Sequence, residues 1–166
     1  MTLYILRHGT AENEPPAGDD GARRLTARGR EKVRAAAAGM RALGLKFDVI
    51  LASPLPRAAE TAELVAAAYA GGPVPEVLAA LSTGVTPADT VAALKPYERH
   101  DHLMIVGHEP GLSGTASLLL TGSANSLSLG LKKSGMIALE LHDGIERGGA
   151  QLLWMLTSRQ LRRLRK

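Results

Sequence analysis

The sequence contains no cysteine among its 166 residues, and aromatic residues make up only 3% of it. The first absence excludes disulfides, thiolate metal sites and cysteine nucleophiles. The second argues against stacking platforms for single-stranded nucleic acid. No apolar run approaches the roughly 18 residues of a membrane span. Arg7 and His8 also interrupt the first apolar segment too early for a signal peptide. We therefore expect a soluble, cytoplasmic protein.

Positive charge is concentrated at the C-terminal end of the chain. Residues 159–166 carry five positive charges, and without them the formal net charge of +4 becomes −1. A chain of this length fits one domain. We predict a single domain over residues 1–158, followed by a basic tail at residues 159–166. Such a tail either contacts nucleic acid, a membrane or an acidic partner, or is a solvated terminal helix.

Apolar runs and helix-start signals alternate along the chain. The helix signals are Thr26, Ser53-Pro54 and Thr86-Pro87. Strands are predicted at residues 2–6, 49–52 and 102–106, a fourth helix at 111–120, and a hairpin at 136–142 and 151–157. This alternation predicts an α/β fold: a three-layer α/β/α sandwich with a mostly parallel central sheet and an antiparallel hairpin.

Charged residues and histidines follow the three central strands. Arg7-His8-Gly9 ends the first strand, Ser53-Pro54-Leu55-Pro56-Arg57 follows the second, and Gly107-His108-Glu109-Pro110 follows the third. In open α/β sheets the ligand crevice lies outside the carboxyl ends of the strands. Two arginines and two histidines are therefore expected to converge there. Their shared cationic and donor character predicts an anionic ligand, most simply a phosphate.

These residue types suit phosphoryl transfer. Arginine presents a planar fork to phosphate oxygens, and a neutral imidazole is a competent nucleophile. A protonated second histidine would bind a phosphoryl oxygen. Each residue also has a plainer interpretation: Arg57 as a surface arginine, His108 as a structural histidine. Arg23 and Arg24, in the long polar loop of residues 10–24, either reach the site or lie on the surface.

The three motifs together resemble the histidine phosphatase superfamily, with its phosphoglycerate mutase-like fold. They read Leu6-Arg7-His8-Gly9, Ser53-Pro54-Leu55-Pro56-Arg57-Ala58-Ala59-Glu60-Thr61-Ala62 and Val106-Gly107-His108-Glu109-Pro110. Arg24-Leu25-Thr26 and Trp154-Met155-Leu156-Thr157 resemble the small SixA-type phosphohistidine phosphatases of that superfamily. The resemblance implies that His8 is the nucleophile that becomes phosphorylated. It implies that Arg7, Arg57 and His108 bind the phosphoryl group, with no metal and no other cofactor.

The chain departs from the superfamily at one position. Many members carry a glutamate general acid where this sequence has Ala80. Without it an alkoxide leaving group lacks a proton donor, whereas imidazole, with a pKa near ~6.5, leaves readily once protonated. Glu109 is a substitute acid by analogy with another branch of the superfamily. Alternatively, it is a helix-start carboxylate that interacts with the helix dipole.

The leading hypothesis is a metal-independent phosphatase that dephosphorylates phosphohistidine in a protein. One alternative is a phosphatase for a small phosphorylated metabolite, and another is a non-catalytic protein that binds phosphate or nucleic acid. The expected partner is thus a phosphorylated protein or a small phosphorylated molecule. No membrane partner is expected, and the shortage of aromatic residues disfavours nucleic acid.

Overall fold

The computed structural model of the protein describes residues 1–14 and 18–165. Pro15 and Pro16 of the predicted long loop, and Lys166 of the basic tail, lie outside the described residues. Among the described residues, no helix is both long enough and apolar enough to cross a membrane. Those residues form β1 (Thr2–Arg7), α1 (Ala27–Ala42), β2 (Val49–Ala52), α2 (Pro56–Ala66), β3 (Glu76–Val77), α3 (Pro87–Leu94), β4 (His102–Gly107), α4 (Gly111–Thr121), β5 (Met136–Leu141), β6 (Ala150–Leu156) and α5 (Ser158–Leu164).

The strands form one sheet in the order β3-β2-β4-β1-β5-β6. β1 runs parallel to β4, β4 to β2, and β2 to β3. β5 is antiparallel to β1, and β6 is antiparallel to β5. The prediction of a mostly parallel sheet that carries an antiparallel hairpin is therefore confirmed. In the parallel register Leu6 and Ala52 both lie opposite Val106, so β1, β2 and β4 end at the same edge.

Helices bury both faces of the sheet. Leu3 and Ile5 of β1 pack with the apolar residues of α3 and α4 on one face. Tyr4 and Leu6 pack with α1, α2 and Leu161 of α5 on the other. A strand covered on both sides must be apolar at consecutive positions, which is why β1 and β4 are nearly continuous apolar runs. The predicted three-layer architecture is confirmed.

Local signals determine both ends of α1. The Thr26 side chain accepts a hydrogen bond from the Gly29 amide and caps the N-terminus, as predicted. Val33 and Met40 point into the core. The helix ends at Ala42, and Gly44 follows with a φ of 73°, a left-handed conformation that glycine adopts without steric cost.

The predicted start of α2 is wrong. Ser53 and Pro54 were expected to be the N-cap and the first helical residue. The helix instead begins at Pro56, with Leu55 as an N-cap that makes no side-chain hydrogen bond. The Ser53 hydroxyl accepts a hydrogen bond from the Leu55 amide, two residues on, and contacts the His108 ring, while the helix itself starts later. Proline also suits the first helical position at Pro56, so the later start costs nothing at that residue.

The C-terminal basic segment is folded onto the domain. Thr157 and Gln160 form a reciprocal capping box at the start of α5. Leu161 is fully buried, and a side chain at Gly39 of α1 would overlap the Leu161 carbonyl. The proposed boundary after residue 158 thus falls inside a docked helix. The division into a domain and a tail stays a prediction, and the basic residues of α5 are held in place by Leu161.

Candidate active site

The two predicted histidines meet at the carboxyl edge of the sheet. The His8 amide donates to the Gly107 carbonyl, and the Ser53 amide donates to the Val106 carbonyl, which join the ends of the three strands. The ring centroids of His8 and His108 are 5.0 Å apart. Both residues are buried, with 6% and 5% of their surface exposed. The expected convergence of the strand ends therefore occurs in the fold.

One ring nitrogen of His8 faces a backbone carbonyl. Nδ1 lies 2.7 Å from the oxygen of Gly9. Because a carbonyl only accepts hydrogen bonds, Nδ1 carries the proton and the lone pair is on Nε2. Burial first, and then the charges of Arg57, Arg7 and Lys133, lower the pKa of His8 to about 4, against the opposing effect of that hydrogen bond. Near pH 7 the imidazole is thus neutral, with a free lone pair.

Gly9 and Thr61 hold the His8 turn against α2. The Gly9 amide donates to the Thr61 hydroxyl at 3.0 Å, and that hydroxyl donates to the Arg57 carbonyl at 2.6 Å. A Cβ on residue 9 would lie only 2.7 Å from a methyl group of Val33. The third residue of Arg-His-Gly must therefore be small for the turn to pack here.

Arg57 is buried on the first turn of α2. Its side chain is 3% exposed, which argues against an ordinary surface arginine. Nη1 donates to the Asp20 carbonyl at 2.8 Å, and Nη2 lies 3.2 Å from the Asp20 carboxylate. The guanidinium plane is thereby held in one orientation next to the two histidines, and its charge contributes to the lowered pKa of each.

Sequence reasoning missed Asp20. Its carboxylate lies between Arg57 and Arg23, with Oδ1 2.8 Å from Arg23 Nε. Of the two loop arginines in the sequence, Arg23 therefore joins the site, whereas Arg24 is exposed. An acidic residue three positions before Arg23 in a long polar loop was the available signal. Nothing in the sequence connects it to Arg57, 37 positions away.

Arg7 lies at the end of β1, beside His8. Its Nη1 donates to the Leu131 carbonyl at 2.9 Å. Its Nε is buried and has no hydrogen-bond partner among the residues that the structure describes. Arg7 is therefore anchored at one nitrogen and has a further buried donor available.

Ser53 orients His108. The Ser53 hydroxyl lies 2.8 Å from His108 Nε2, and Nδ1 of the same ring is buried without a partner in the described part of the chain. Burial lowers the pKa of His108 to about 3, with His8 the next contributor. Among the protein groups alone His108 is therefore neutral near pH 7, and a protonated His108 that binds a phosphoryl oxygen stays a prediction. Asp20 offsets a part of this lowering, and an arriving anion would offset more of it.

Glu109 borders a cavity of about 720 Å³ that also reaches His108. Burial raises its pKa, and Ser113 and Arg7 offset part of the rise. Its Oε1 is buried with no partner among the described residues, and α4 has no side-chain cap at its N-cap, Pro110. Ala80 lies in a short 3-10 turn that follows β3. The carbonyl of Leu81, in the same turn, lies close to Gly107. Position 80 thus carries a methyl group in the turn next to Gly107, and Glu109 carries a carboxyl group at the border of the cavity.

No group of three or more histidine, aspartate or glutamate side chains within residues 1–14 and 18–165 is arranged to hold a metal ion.

The lowered histidine pKa values predict a pH-dependent stability. Both groups have an ordinary pKa of 6.5, against about 4 for His8 and about 3 for His108 in the folded protein. Between these values the unfolded chain binds more protons, so acidification favours unfolding. We expect the free energy of unfolding to fall as the pH is lowered from about 7 to about 5. Urea denaturation at several pH values measures the slope.

Two variants separate this effect from other titrations. The free energy of unfolding of His108→Gln should fall less steeply over the same pH range, because one buried imidazole is gone. His142→Gln removes a histidine whose side chain is 59% exposed, and it should keep the wild-type slope. Equal slopes in all three proteins would contradict the burial argument.

Comparison with known proteins shows the family of the chain. A family model of the histidine phosphatase superfamily (branch 1) matches residues 3–81. An uncharacterised protein of Picosynechococcus sp. is 38% identical over 141 residues, which cover 84% of each chain. The chain belongs to the histidine phosphatase superfamily. As a member of that superfamily it is an enzyme of the phosphatase type, a hydrolase.

Solved structures agree in fold. The protein histidine phosphatase SixA, solved with tungstate, has a TM-score of 0.82 at 23% identity, over 97% of this chain and 99% of that one. The α-ribazole phosphatase of Shigella flexneri has a TM-score of 0.77 at 19% identity, over 95% and 97%. The predicted phosphoglycerate mutase-like fold is thus confirmed. The two proteins are named for different substrates, so the shared fold does not select one.

Proposed function

We propose that this chain is a metal-independent phosphatase that works through a phosphohistidine intermediate on His8 and acts on phosphohistidine in a protein. The observation that carries the proposal is the state of His8: a neutral imidazole whose Nδ1 is tied to the Gly9 carbonyl. That arrangement directs the Nε2 lone pair away from the backbone and leaves it available for attack on phosphorus.

In the first step the Nε2 lone pair of His8 forms a bond to phosphorus. The bond from phosphorus to the substrate imidazole nitrogen breaks, and its electron pair stays on that nitrogen. In the second step water attacks the phosphorylated His8, the bond from phosphorus to Nε2 breaks, and inorganic phosphate leaves. The lone pair returns to Nε2, so the enzyme is regenerated.

Charge stabilisation is supplied by the neighbours of His8. Arg57 and Arg7 present donors to the phosphoryl oxygens, and their charges persist because guanidinium stays protonated. His108, neutral among protein groups alone, gains an anionic partner when the phosphoryl group arrives. Its pKa then rises, and the proton on the ring becomes a donor to a phosphoryl oxygen.

Protonation of the leaving group is assigned to Glu109. Its pKa is raised by burial, and it borders the same cavity as His108. A carboxyl that holds its proton at a higher pH can donate it in the first step and take one from water in the second. The methyl side chain of Ala80 offers no such group, which supports a substrate whose leaving group needs little help.

The substrate preference is tested by varying the leaving group. Phosphohistidine and aryl phosphates should be hydrolysed, and alkyl phosphates should react more slowly, by up to about 10²–10⁴-fold, because Ala80 replaces the general acid of many superfamily members and Glu109 supplies its contribution only in part. A phosphohistidine protein, an aryl phosphate and an alkyl phosphate are assayed with and without a chelator. Equal activity in both conditions supports the metal-independent mechanism.

Glu109→Gln distinguishes a general acid from a helix-start carboxylate. If Glu109 is the general acid, Glu109→Gln should lower the rate most for alkyl phosphates and least for phosphohistidine. The matched control is Glu63→Gln, which removes an exposed carboxylate from α2 and should change no rate. Efficient alkyl phosphate hydrolysis that survives Glu109→Gln would contradict the phosphohistidine preference, because it requires another acid.

A further inference from the structure

A second cavity, of about 570 Å³, shares Arg7 with the active site and shares no lining residue with the cavity beside Glu109. Its other cationic lining residues come from three separate segments. They are Lys32 of α1, Lys132 and Lys133 of the segment before β5, and Arg159 and Arg162 of α5. These five residues are called the basic pocket below. No aspartate or glutamate lines the cavity.

The charges of the basic pocket are not neutralised within the protein. Among the residues that the structure describes, the ion pairs involve other side chains, and none joins a member of this pocket to a carboxylate. Lys132, Lys133 and Arg159 are also exposed. Like charges that converge on one cavity repel one another, and an anion in that cavity relieves the repulsion.

The positive charge of the basic pocket acts on the nucleophile, His8. Lys133 contributes to the lowered pKa of His8, so its charge acts on the reacting ring. Arg7 borders the pocket while its Nη1 is held by the carbonyl of Leu131, the residue before Lys132. A protein substrate that places its phosphoryl group at His8 can therefore bring an anionic group of the same molecule to the pocket, past Arg7.

The geometry of α5 favours a preformed site. Leu161 is fully buried and fixes the helix on α1, so Arg159 and Arg162 project from a docked element. A helix that is fixed before binding reduces the entropy lost on binding. No aromatic residue lines the cavity, so it offers no stacking surface for a nucleic-acid base.

We propose that the basic pocket binds carboxylates that flank the phosphorylated histidine of the protein substrate, so that the enzyme selects phosphohistidine in an acidic segment. This inference rests on the function proposed above. It extends that function by naming which phosphoproteins are preferred and which residues make the choice.

The test combines enzyme variants that lack positive charges with substrate peptides that differ in negative charge. Two synthetic phosphohistidine peptides differ only in flanking residues, glutamates in one and glutamines in the other. The pocket variant is Lys132→Gln with Arg159→Gln. The control variant is Arg41→Gln with Lys46→Gln, which removes the same charge from exposed positions between the C-terminal end of α1 and the start of β2.

We expect the pocket variant to lose about three- to tenfold in kcat/KM on the acidic peptide, through a higher KM, as two exposed ion pairs would predict. The glutamine peptide should change by less than about twofold, and high salt should remove the difference between the peptides. The control variant should match the wild type on both peptides. Equal losses on the two peptides, or equal losses in the two variants, would overturn the proposal.

A binding measurement separates this proposal from the proposed function. Fluorescence anisotropy of the labelled, unphosphorylated acidic peptide reports binding without turnover, and its affinity should fall in the pocket variant only. If neither phosphohistidine peptide is hydrolysed, the proposed function is wrong, and with it the selection of substrates. A labelled oligonucleotide that binds more tightly than the acidic peptide, and loses that affinity in the pocket variant, would overturn the assignment to protein carboxylates.

Discussion

Replacing His8 with alanine is expected to lower kcat by about 10⁴-fold or more, because the loss of a covalent nucleophile removes the reaction path itself. The Nε2 lone pair of His8 is available only because Nδ1 is tied to Gly9 and burial keeps the ring neutral. Wild-type enzyme quenched during turnover should carry a phosphate that acid removes and base does not. The alanine variant should carry none.

The control for this prediction is another histidine. His142→Ala removes an exposed imidazole at the end of the β5 strand and should leave both turnover and the trapped phosphate unchanged. Circular dichroism establishes that the His8 variant is folded. Full activity in folded His8→Ala without any trapped phosphate would contradict the covalent mechanism. Full activity with phosphate trapped on another residue would show that this other residue is the nucleophile.

Arg57→Ala is expected to reduce kcat/KM by about 10³-fold, the equivalent of a charge interaction of ~4 kcal/mol at an intermediate dielectric. Arg57 is buried on the first turn of α2, and its guanidinium is oriented by two contacts with Asp20. Arg57→Lys retains the charge but not the planar fork, so it should recover only part of the rate.

Arg23→Ala is the matched comparison for Arg57. Arg23 also pairs with Asp20, but its side chain is 23% exposed, against 3% for Arg57. Its removal should cost far less, on the order of tenfold or below, because solvent screens a partly exposed charge. Thermal denaturation of both variants separates loss of fold from loss of rate. Equal rate losses in equally stable variants would mean that the two arginines share one role.

The positions of the site residues were predictable because strands that are buried on both faces give runs of consecutive apolar residues in the sequence. Residues 3–6 and 103–106 are consecutive apolar positions, as a strand covered on both faces requires. Parallel strands end at one edge, so whatever follows them is brought together. Arg7, His8 and His108 could be placed by that argument without any knowledge of side-chain contacts.

The start of α2 was not predictable because two helix-start signals compete. Ser53-Pro54 and Leu55-Pro56 both place a proline at a first helical position. In the folded chain the Ser53 hydroxyl contacts the Leu55 amide and the ring of His108, which is 55 positions away in the sequence. Asp20 was missed for the same reason, since its partner Arg57 is distant in sequence and close only in the folded chain.

The sequence by itself determined the layered fold, the three strand ends and the residue types that meet there. The tertiary structure decided what state those residues are in: which nitrogen of His8 holds the proton, that His108 is neutral, and that Asp20 orients Arg57. The physical reason is that a pKa and a tautomer depend on desolvation and on charges within a few ångströms. Those distances arise only when residues far apart in the chain are packed together.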